Sequence, residues 1–457
     1  VSTEIREALT AAGAAAGVPK IIDPLLLEYQ RRYSPYVRAI PSQRIASTQY
    51  YFNQRTNLGG GGFVTDGGAR PVTNSTYVQQ SFTMRNMQTV GAVTGYAQQV
   101  TADVLGDLRR REIEGAIQGQ YWDIENACMW GNSASTAAGP YPEFDGLDTQ
   151  ISTYSGSNQN AIDANNAAFS LGWLDSTIDL VQRNAAMAPF SSEWMFVLST
   201  TAGSRMAQLL QNQQRFVDRV EVAAGLLVPT YRNIPLVTSS FLGTNSIQMG
   251  TVTTATATTT GTLAAATYYY VVSAVIARSG ETIGSAEVSQ TTTGSTSTVT
   301  LSFTAPTGYE GAGPILYKVY RSTATTTETL LGYVDATVVL QGDGITPTMA
   351  TSIVDTGSAL IPKNSATAPA TTPTAYYGTN AGAKPLAAGQ ENVYLQSRSR
   401  DFVLRPYVRE LQPVDVFPTT ASPDTMPFAL VTDTCLAVRA PKYAARLARV
   451  NVALTTT

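Results

Sequence analysis

Residues 101–130 read TADVLGDLRRREIEGAIQGQYWDIENACMW, and the fold class turns on how far one helix runs through them. Ile113, Ile117, Tyr121, Ile124 and Cys128 recur at spacings of four, four, three and four, which draws one apolar stripe along a helix. Asp103 stands where an N-cap belongs and Gly131 where a helix stops. Arg109, Arg110, Arg111, Glu112 and Glu114 supply a solvated face, while Gly115 and Gly119 admit close packing. A helix of nearly thirty residues is about 40 Å long at 1.5 Å per residue, enough to serve as a spine.

Upstream, residues 47–85 predict a long hairpin. Residues 48–54 and 77–85 are rich in aromatic and β-branched side chains, and Gly59, Gly60, Gly61 and Gly62 lie between them. A phosphate-cradling loop needs a lysine and then Ser or Thr opening a helix. No lysine occurs between Lys20 and Lys318, so these glycines read as a flexible tip. Residues 1–46 read as an arm. Residues 4–16 have helical composition up to Gly17-Val18-Pro19, and a short apolar run over 25–29 follows Asp23-Pro24. Arg31, Arg32, Arg38 and Arg44 are interleaved with Tyr33, Tyr36 and proline. They fit either a solvated or salt-bridged connector or packing on a neighbouring subunit.

Downstream, residues 132–160 are rich in Gly, Ser, Asn and Pro and read as loop. Residues 170–186 predict a helix with Trp173, Leu174, Ile178 and Val181 on one side. Residues 194–199 predict a buried strand, 201–211 a helix and 234–239 another strand, together a mixed α+β layer. At about Met249 the composition turns abruptly to Thr, Ser, Ala and Gly, and stays so to about Ile361. Short strands at 268–277, 297–303, 315–321, 329–334 and 351–354 predict a β-sandwich. This insert holds seven acidic residues against three basic ones, a mildly acidic domain set into a nearly neutral chain. From about Glu391 the mixed fold resumes, with strand-like runs at 401–408, 411–416, 428–438 and 448–453.

Composition excludes several functions. The 457 residues are ample for more than one domain, and 43% are apolar, so the chain is not disordered. Charged residues make up 14%, well below the usual share of about 25%. Such a chain hides surface in an assembly or relies on uncharged polar residues for solubility. A net charge of -3 excludes a strongly basic nucleic-acid binder. The absence of histidine removes Ser-His-Asp and Cys-His catalysis and every His-containing metal site. Two cysteines, Cys128 and Cys435, are too few for a disulfide scaffold; buried free thiols in a reducing compartment are expected, a single bridge between them being the alternative. No apolar run reaches the roughly 18 residues of a membrane span, and no signal pattern opens the sequence. The missing initial Met fits either its removal before Val1 or processing of a longer precursor.

The hairpin with its glycine tip, the spine helix and the α+β layer come in a telling order. The layer carries Trp194-Met195-Phe196-Val197-Leu198-Ser199-Thr200 and then Tyr231-Arg232-Asn233-Ile234-Pro235-Leu236-Val237-Thr238-Ser239. The chain returns through Cys435-Leu436-Ala437-Val438-Arg439. Together these resemble the HK97-fold major capsid proteins of tailed bacteriophages. The resemblance covers roughly residues 1–245 and 385–457, and it implies the following division. Residues 1–46 would be the N-terminal arm, 47–85 the extended loop, 86–135 and 400–457 the peripheral domain with its spine helix, and 136–247 and 362–399 the axial domain. Residues 248–361 resemble an inserted immunoglobulin or fibronectin type III domain, through Tyr268-Tyr269-Tyr270-Val271-Val272-Ser273-Ala274-Val275, Val299-Thr300-Leu301-Ser302-Phe303 and Tyr317-Lys318-Val319-Tyr320-Arg321. The order of those strands is permuted.

The resemblance implies a structural protein, not an enzyme, with no catalytic, cofactor-binding or metal-binding residue. It implies hexamers and pentamers of this chain closing into an icosahedral shell around double-stranded DNA, without sequence-specific binding. Scaffold, portal and maturation protease would be partners, no membrane would take part, and the virion capsid would be assembled in the host bacterial cytoplasm. Gly59–Gly62 and the arm arginines are the candidate assembly residues, and the acidic insert is expected to face outward. Two alternatives are an encapsulin-like cellular compartment and a secreted glycan-active enzyme with a fibronectin-like module. The second lacks a signal pattern and any evident carboxylate pair at catalytic spacing. Asn74-Ser75-Thr76 matches a glycosylation acceptor that a bacterial cytosol leaves unused. Residues 391–397 resemble a plant-virus protease site, a chance match in a strand.

Some members of the family crosslink subunits through a lysine on the extended loop. Here the only lysines are Lys20, Lys318, Lys363, Lys384 and Lys442. Denaturing gels of assembled particles are therefore expected to show a single band of chain length, and a covalent ladder would contradict this.

Overall fold

The structure is a computed structural model. It describes residues 35–69, 73–131, 133, 143–152, 160–185, 187–212, 219–223, 226–242, 247–276, 280–307, 314–335, 337–338, 348–349, 351–358, 390–414, 416 and 424–452. The helix expected over 4–16, the apolar run over 25–29, Arg31 and Arg32 lie outside the described residues, as does most of the loop over 132–160.

A short helix, α1 (Tyr36–Ala39), and a short strand, β1 (Ser42–Arg44), lead into the expected hairpin. Its strands β2 (Gln49–Asn57) and β3 (Thr76–Thr83) pair antiparallel, Gln49 opposite Thr83 and Asn57 opposite Thr76. After Met84 the chain continues as β4 (Arg85–Thr94), which the sequence reading does not separate from the hairpin. Its signal is a period of two, with Asn86, Gln88, Val90 and Ala92 outward and Met87, Thr89, Gly91 and Val93 inward.

The single helix expected over 101–130 is two helices. α2 (Gly95–Leu105) begins earlier, where the Thr94 hydroxyl accepts from the Ala97 N–H at 3.2 Å. Gly106 then takes φ +68°, a conformation that glycine adopts without steric cost, and the ladder stops. Asp107, not Asp103, is the N-cap of α3 (Leu108–Trp130); its carboxylate accepts from the Arg110 N–H at 3.1 Å, whereas Asp103 lies inside α2. The expected stripe is also only partly right. Ile124 and Cys128 are buried, Ile113 and Ile117 half-buried, and Tyr121 is exposed. From Gly119 onward α3 is buried on most sides, because its C-terminal half enters the core while its N-terminal half stays at the surface.

The α+β layer follows as α4 (Leu147–Ser152), β5 (Ala161–Asp163), α5 (Leu171–Ala185), β6 (Trp194–Ser199), α6 (Thr200–Asn212), β7 (Arg219–Ala223), β8 (Leu226–Tyr231) and β9 (Ile234–Ser239). α5, β6, α6 and β9 lie where the sequence predicts them. β6 is buried at every position and runs parallel to β9, as its unbroken apolar run requires.

The insert is all-β among its described residues: β10 (Val252–Ala257), β11 (Thr267–Ile276), β12 (Gly280–Glu281), β13 (Val288–Thr291), β14 (Thr298–Phe303), β15 (Pro314–Ser322), β16 (Thr329–Asp335), β17 (Thr337–Val338), β18 (Thr348–Met349) and β19 (Ser352–Asp355). One sheet has the order β10-β14-β19, and the other β12-β11-β15-β16 with β13 also on β11. Their facing side chains, among them Val252, Leu301 and Phe303 from one sheet and Tyr270, Val272 and Val319 from the other, form one core. β10 and β13 are too rich in Thr and Ser to stand out in the sequence.

The chain ends with β20 (Gln390–Ser397), β21 (Val403–Val414), β22 (Thr425–Thr434), β23 (Ala437–Val438) and β24 (Ala445–Asn451). The runs expected at 401–408 and 411–416 are one strand, and the run at 428–438 is two. β1, β21, β22 and β4 form a sheet in that order, with β23 on β21. The larger sheet has the order β5-β24-β20-β6-β9-β8-β7. β24 thus leaves the company of residues 400–438 and joins the larger sheet, where Ala445, Leu447 and Val450 pack with Leu174 and Phe196. Among the described residues no helix is long and apolar enough to cross a membrane.

Gly131 follows α3 as expected, but for a different reason. Its φ of -55° is ordinary; what it provides is space, since a Cβ would lie 2.2 Å from the Phe144 carbonyl oxygen and 2.6 Å from that of Ala127. Backbone atoms cannot step aside cheaply. Gly131→Ala is expected to destabilise the chain by about 1–3 kcal/mol, read as a lowered urea midpoint at unchanged slope; an unchanged midpoint would refute the close approach.

Candidate assembly surface

Among the described residues, the β2–β3 ribbon and its connecting loop expose Tyr51, Leu58, Phe63, Val64 and Tyr77. Two-stranded ribbons are marginal alone, so what holds this one matters. At its base the Arg439 guanidinium lies 5.1 Å from the centre of the Tyr50 ring and donates to the Tyr50 hydroxyl. The Gln54 amide donates to the Arg439 carbonyl. Phe52 stacks between Tyr50, at 6.1 Å, and Phe82, at 5.8 Å. Phe82, Met84 and Met87 reach the main core. That face is anchored to the body, while the other face presents Tyr51 and Tyr77 to solvent.

Gly59, Gly60, Gly61 and Gly62 lie at the tip in exposed, irregular backbone. None of the four has a left-handed φ. Beside them Leu58 and Val64 are exposed, and Phe63 is 111% exposed, without cover from its own chain. These apolar residues inside a glycine-rich loop are the signal that the sequence reading passed over. A second exposed group lies at the start of α2: Tyr96 and Val100, one helical turn apart, with Val90 on the outward face of β4. Arg38 on α1 and Arg44 on β1 are exposed, and the structure does not bring them to the tip glycines. Arg31 and Arg32 lie outside the described residues.

The body that carries these surfaces is fastened by buried polar groups. Glu125 on α3 is fully buried. Its carboxyl accepts from the Ser239 hydroxyl at 2.8 Å and from the Val37 N–H at 3.3 Å, which ties α1 and β9 to the spine. Burial lifts this carboxyl from the ordinary 4.5 to about 7, against the pull of those hydrogen bonds. Beside it Tyr36, also fully buried, accepts from the Gln396 amide at 2.8 Å. Across the larger sheet Asp148 meets the Arg446 guanidinium at 3.1 Å and accepts from the Tyr394 hydroxyl at 2.8 Å. Cys128 and Cys435 are free and buried, and burial pushes the Cys435 thiol up to about 12, so both stay protonated. The protease-like stretch at 391–397 lies within buried β20, out of reach of a protease. No group of three potential metal ligands occurs among the described residues.

Residues 64–255 match the family model described as SU10 major capsid protein. No curated protein is similar in sequence. Among solved structures, the holo-SrpI encapsulin complex from Synechococcus elongatus PCC 7942 aligns with 98% of this chain and 99% of its own, at 11% identity and a TM-score of 0.50. The capsid of a native GTA particle aligns over 98% and 100% at 8% identity and a TM-score of 0.47. The capsid of Myoviridae phage XM1 aligns over 94% and 97% at 7% identity and a TM-score of 0.47.

Glu125 makes stability depend on pH in a definite direction. With its folded value raised, the folded chain keeps a proton that the unfolded chain has lost. That stability is complete below about 4.5 and is lost as the pH rises through about 7. Glu125→Gln is expected to flatten this fall and to raise stability at about pH 8 by up to about 3 kcal/mol. Urea midpoints across the pH range test it, and a variant with the parent's slope would contradict it.

Proposed function

We propose that this chain, a phage major capsid protein of HK97-like fold, closes with its copies into an icosahedral shell of hexamers and pentamers around double-stranded DNA. The observation that carries the reading is the ribbon, fastened at its base by Arg439 and bare at Leu58, Phe63 and Val64. A contact between a projecting tip on one copy and a different surface on the next is heterologous, and such contacts form rings where the rotation between copies closes. The Val90, Tyr96 and Val100 group is the surface that we assign to receive a neighbour. Gly59, Gly60, Gly61 and Gly62 let the tip adjust as the shell changes size, and Arg31, Arg32, Arg38 and Arg44 meet acidic groups of adjacent copies.

In this reading the chain divides into arm, extended loop, peripheral domain, axial domain and insert, with β24 counted in the axial sheet. The insert, an immunoglobulin-like decoration, faces outward, since its acidic balance would repel phosphate inside. A nearly neutral container encloses DNA without gripping it. Scaffold, portal and maturation protease would act on the shell in the host cytoplasm, and the chain itself performs no catalysis. An encapsulin-type compartment shares the fold, and the match to a phage capsid family over residues 64–255 favours the virion.

Electron microscopy of the purified chain tests this. Closed particles tens of nanometres across, with knobs at the capsomers, are the expected outcome, and nucleic acid rather than a protein cargo inside particles from infected cells would separate virion from compartment. Phe63→Asp combined with Tyr96→Asp is expected to abolish particles while leaving the circular dichroism and urea midpoint of the monomer unchanged. Normal assembly of that variant would sink the assigned contact, and monomers that ignore every scaffold would sink the shell.

A further inference from the structure

Three Asp-Gly pairs occur in the chain, Asp66-Gly67, Asp145-Gly146 and Asp343-Gly344, and the shell reading uses none of them. Such a pair has a chemistry of its own. The backbone nitrogen after an aspartate can reach that residue's carboxyl carbon, and glycine, with no Cβ, hinders the approach least. Asp343 and Gly344 lie outside the described residues. The other two pairs look alike in sequence, and the fold separates them. Asp145-Gly146 is held shut. The Gly146 N–H donates to the Gly131 carbonyl at 2.8 Å, and the Asp145 carboxyl accepts from the Ser133 N–H at 2.7 Å. Gly146 is buried, and a Cβ there would lie 2.5 Å from the Ala127 carbonyl oxygen, so this backbone has no room to turn.

Asp66-Gly67 has the opposite surroundings. It lies in the loop between β2 and β3, where residues 63–69 are all exposed. A single backbone hydrogen bond closes the turn, from the Gly68 N–H to the Thr65 carbonyl at 2.8 Å. Among the described residues neither the Gly67 N–H nor the Asp66 carboxyl has a hydrogen-bond partner. Gly67 takes φ +79°, and a Cβ built on it would meet nothing within 4 Å. The peptide between the two residues is therefore free to rotate until nitrogen and carboxyl carbon meet, because glycine pays no steric cost on either side of φ zero.

We propose that Asp66-Gly67 is a site of spontaneous covalent modification, at which the exposed loop converts to isoaspartate through a succinimide ring. The Gly67 nitrogen bonds to the Asp66 Cγ, and its proton leaves with the carboxyl hydroxyl as water. Water then opens the ring. Addition at Cγ breaks the new bond and restores aspartate. Addition at the main-chain carbonyl carbon of Asp66 breaks the original peptide bond, and the chain then runs through Cβ and Cγ with the freed carboxylate beside it. Nothing is oxidised or reduced, and solvent water is the only reagent. The product has a longer backbone and a displaced charge in the loop that carries Phe63 and Val64. The inference is independent of whether the chain assembles.

Ageing the full chain at neutral pH, with peptide mapping by electron-transfer fragmentation, tests it. Free peptides spanning each pair, aged alongside, give the rate that the sequence alone allows. In the full chain the segment with Asp66 is expected to split into two peaks of equal mass, one with isoaspartate fragments, within a few-fold of its free peptide's rate. The segment with Asp145 is expected to stay single while its free peptide converts. In heavy-oxygen water the isoaspartate form gains solvent oxygen, the mark of passage through the ring. Gly67→Ala is expected to slow the conversion several-fold, and Asp66→Glu, whose ring would need a further atom, to stop it. A full chain unchanged at Asp66 while its free peptide converts would overturn the site. Conversion at Asp145 as fast as at Asp66 would overturn the role given to the fold.

Discussion

The larger sheet is apolar on both faces, and covering both of them is the constraint from which the rest of the molecule follows. Along β6, Trp194, Phe196 and Leu198 point to one side and Met195 and Val197 to the other. On the first side α5 and α6 close over Leu236 and Leu395, and on the second the buried end of α3 closes over Val237 and Tyr394. A surface helix with one narrow stripe would not do for the second side. This is why α3 is buried on most sides after Gly119, and why residues at the end of the helix need the clearance at Gly131.

The same burial decides where polar groups go. Glu125, Asp148, Arg446 and Asn392 are all inside, and each serves to join segments distant in sequence. The chain leaving the arm is held to the spine through Val37 and to β20 through Tyr36, and the returning strands are held through Asp148. A body fastened in this way is stiff, and the ribbon attached to it by Arg439, Tyr50 and Gln54 is aimed by that body rather than by contacts of its own.

Much of this was legible in the residues. β6, β9 and α5 were found almost to the residue because an unbroken apolar run and a clear helical period each have one sensible reading. Five strands of the insert, β11, β14, β15, β16 and β19, were found through regular spacing between turn signals. The missed features share a cause: β4, β10 and β13 put polar residues on one side of a strand, and the break at Gly106-Asp107 interrupts a helical composition that continues on both sides. Of the exposed surface proposed for assembly, the glycine loop is legible in the sequence but the exposure of Phe63, Tyr96 and Val100 is not, since an apolar residue in the sequence carries no mark of whether the fold covers it.

The sequence by itself determined the period of each element, the change of composition that marks the insert, and the absence of histidine chemistry and of a lysine on the loop. These are local or compositional properties, and no folding is needed to read them. Only the tertiary structure decided that β24 joins the larger sheet, that Asp107 and not Asp103 caps the spine, and that Glu125 is fully enclosed. Each of these depends on which distant segment arrives beside which. Burial and register between strands settle that, and neither is a property of any single stretch of the chain.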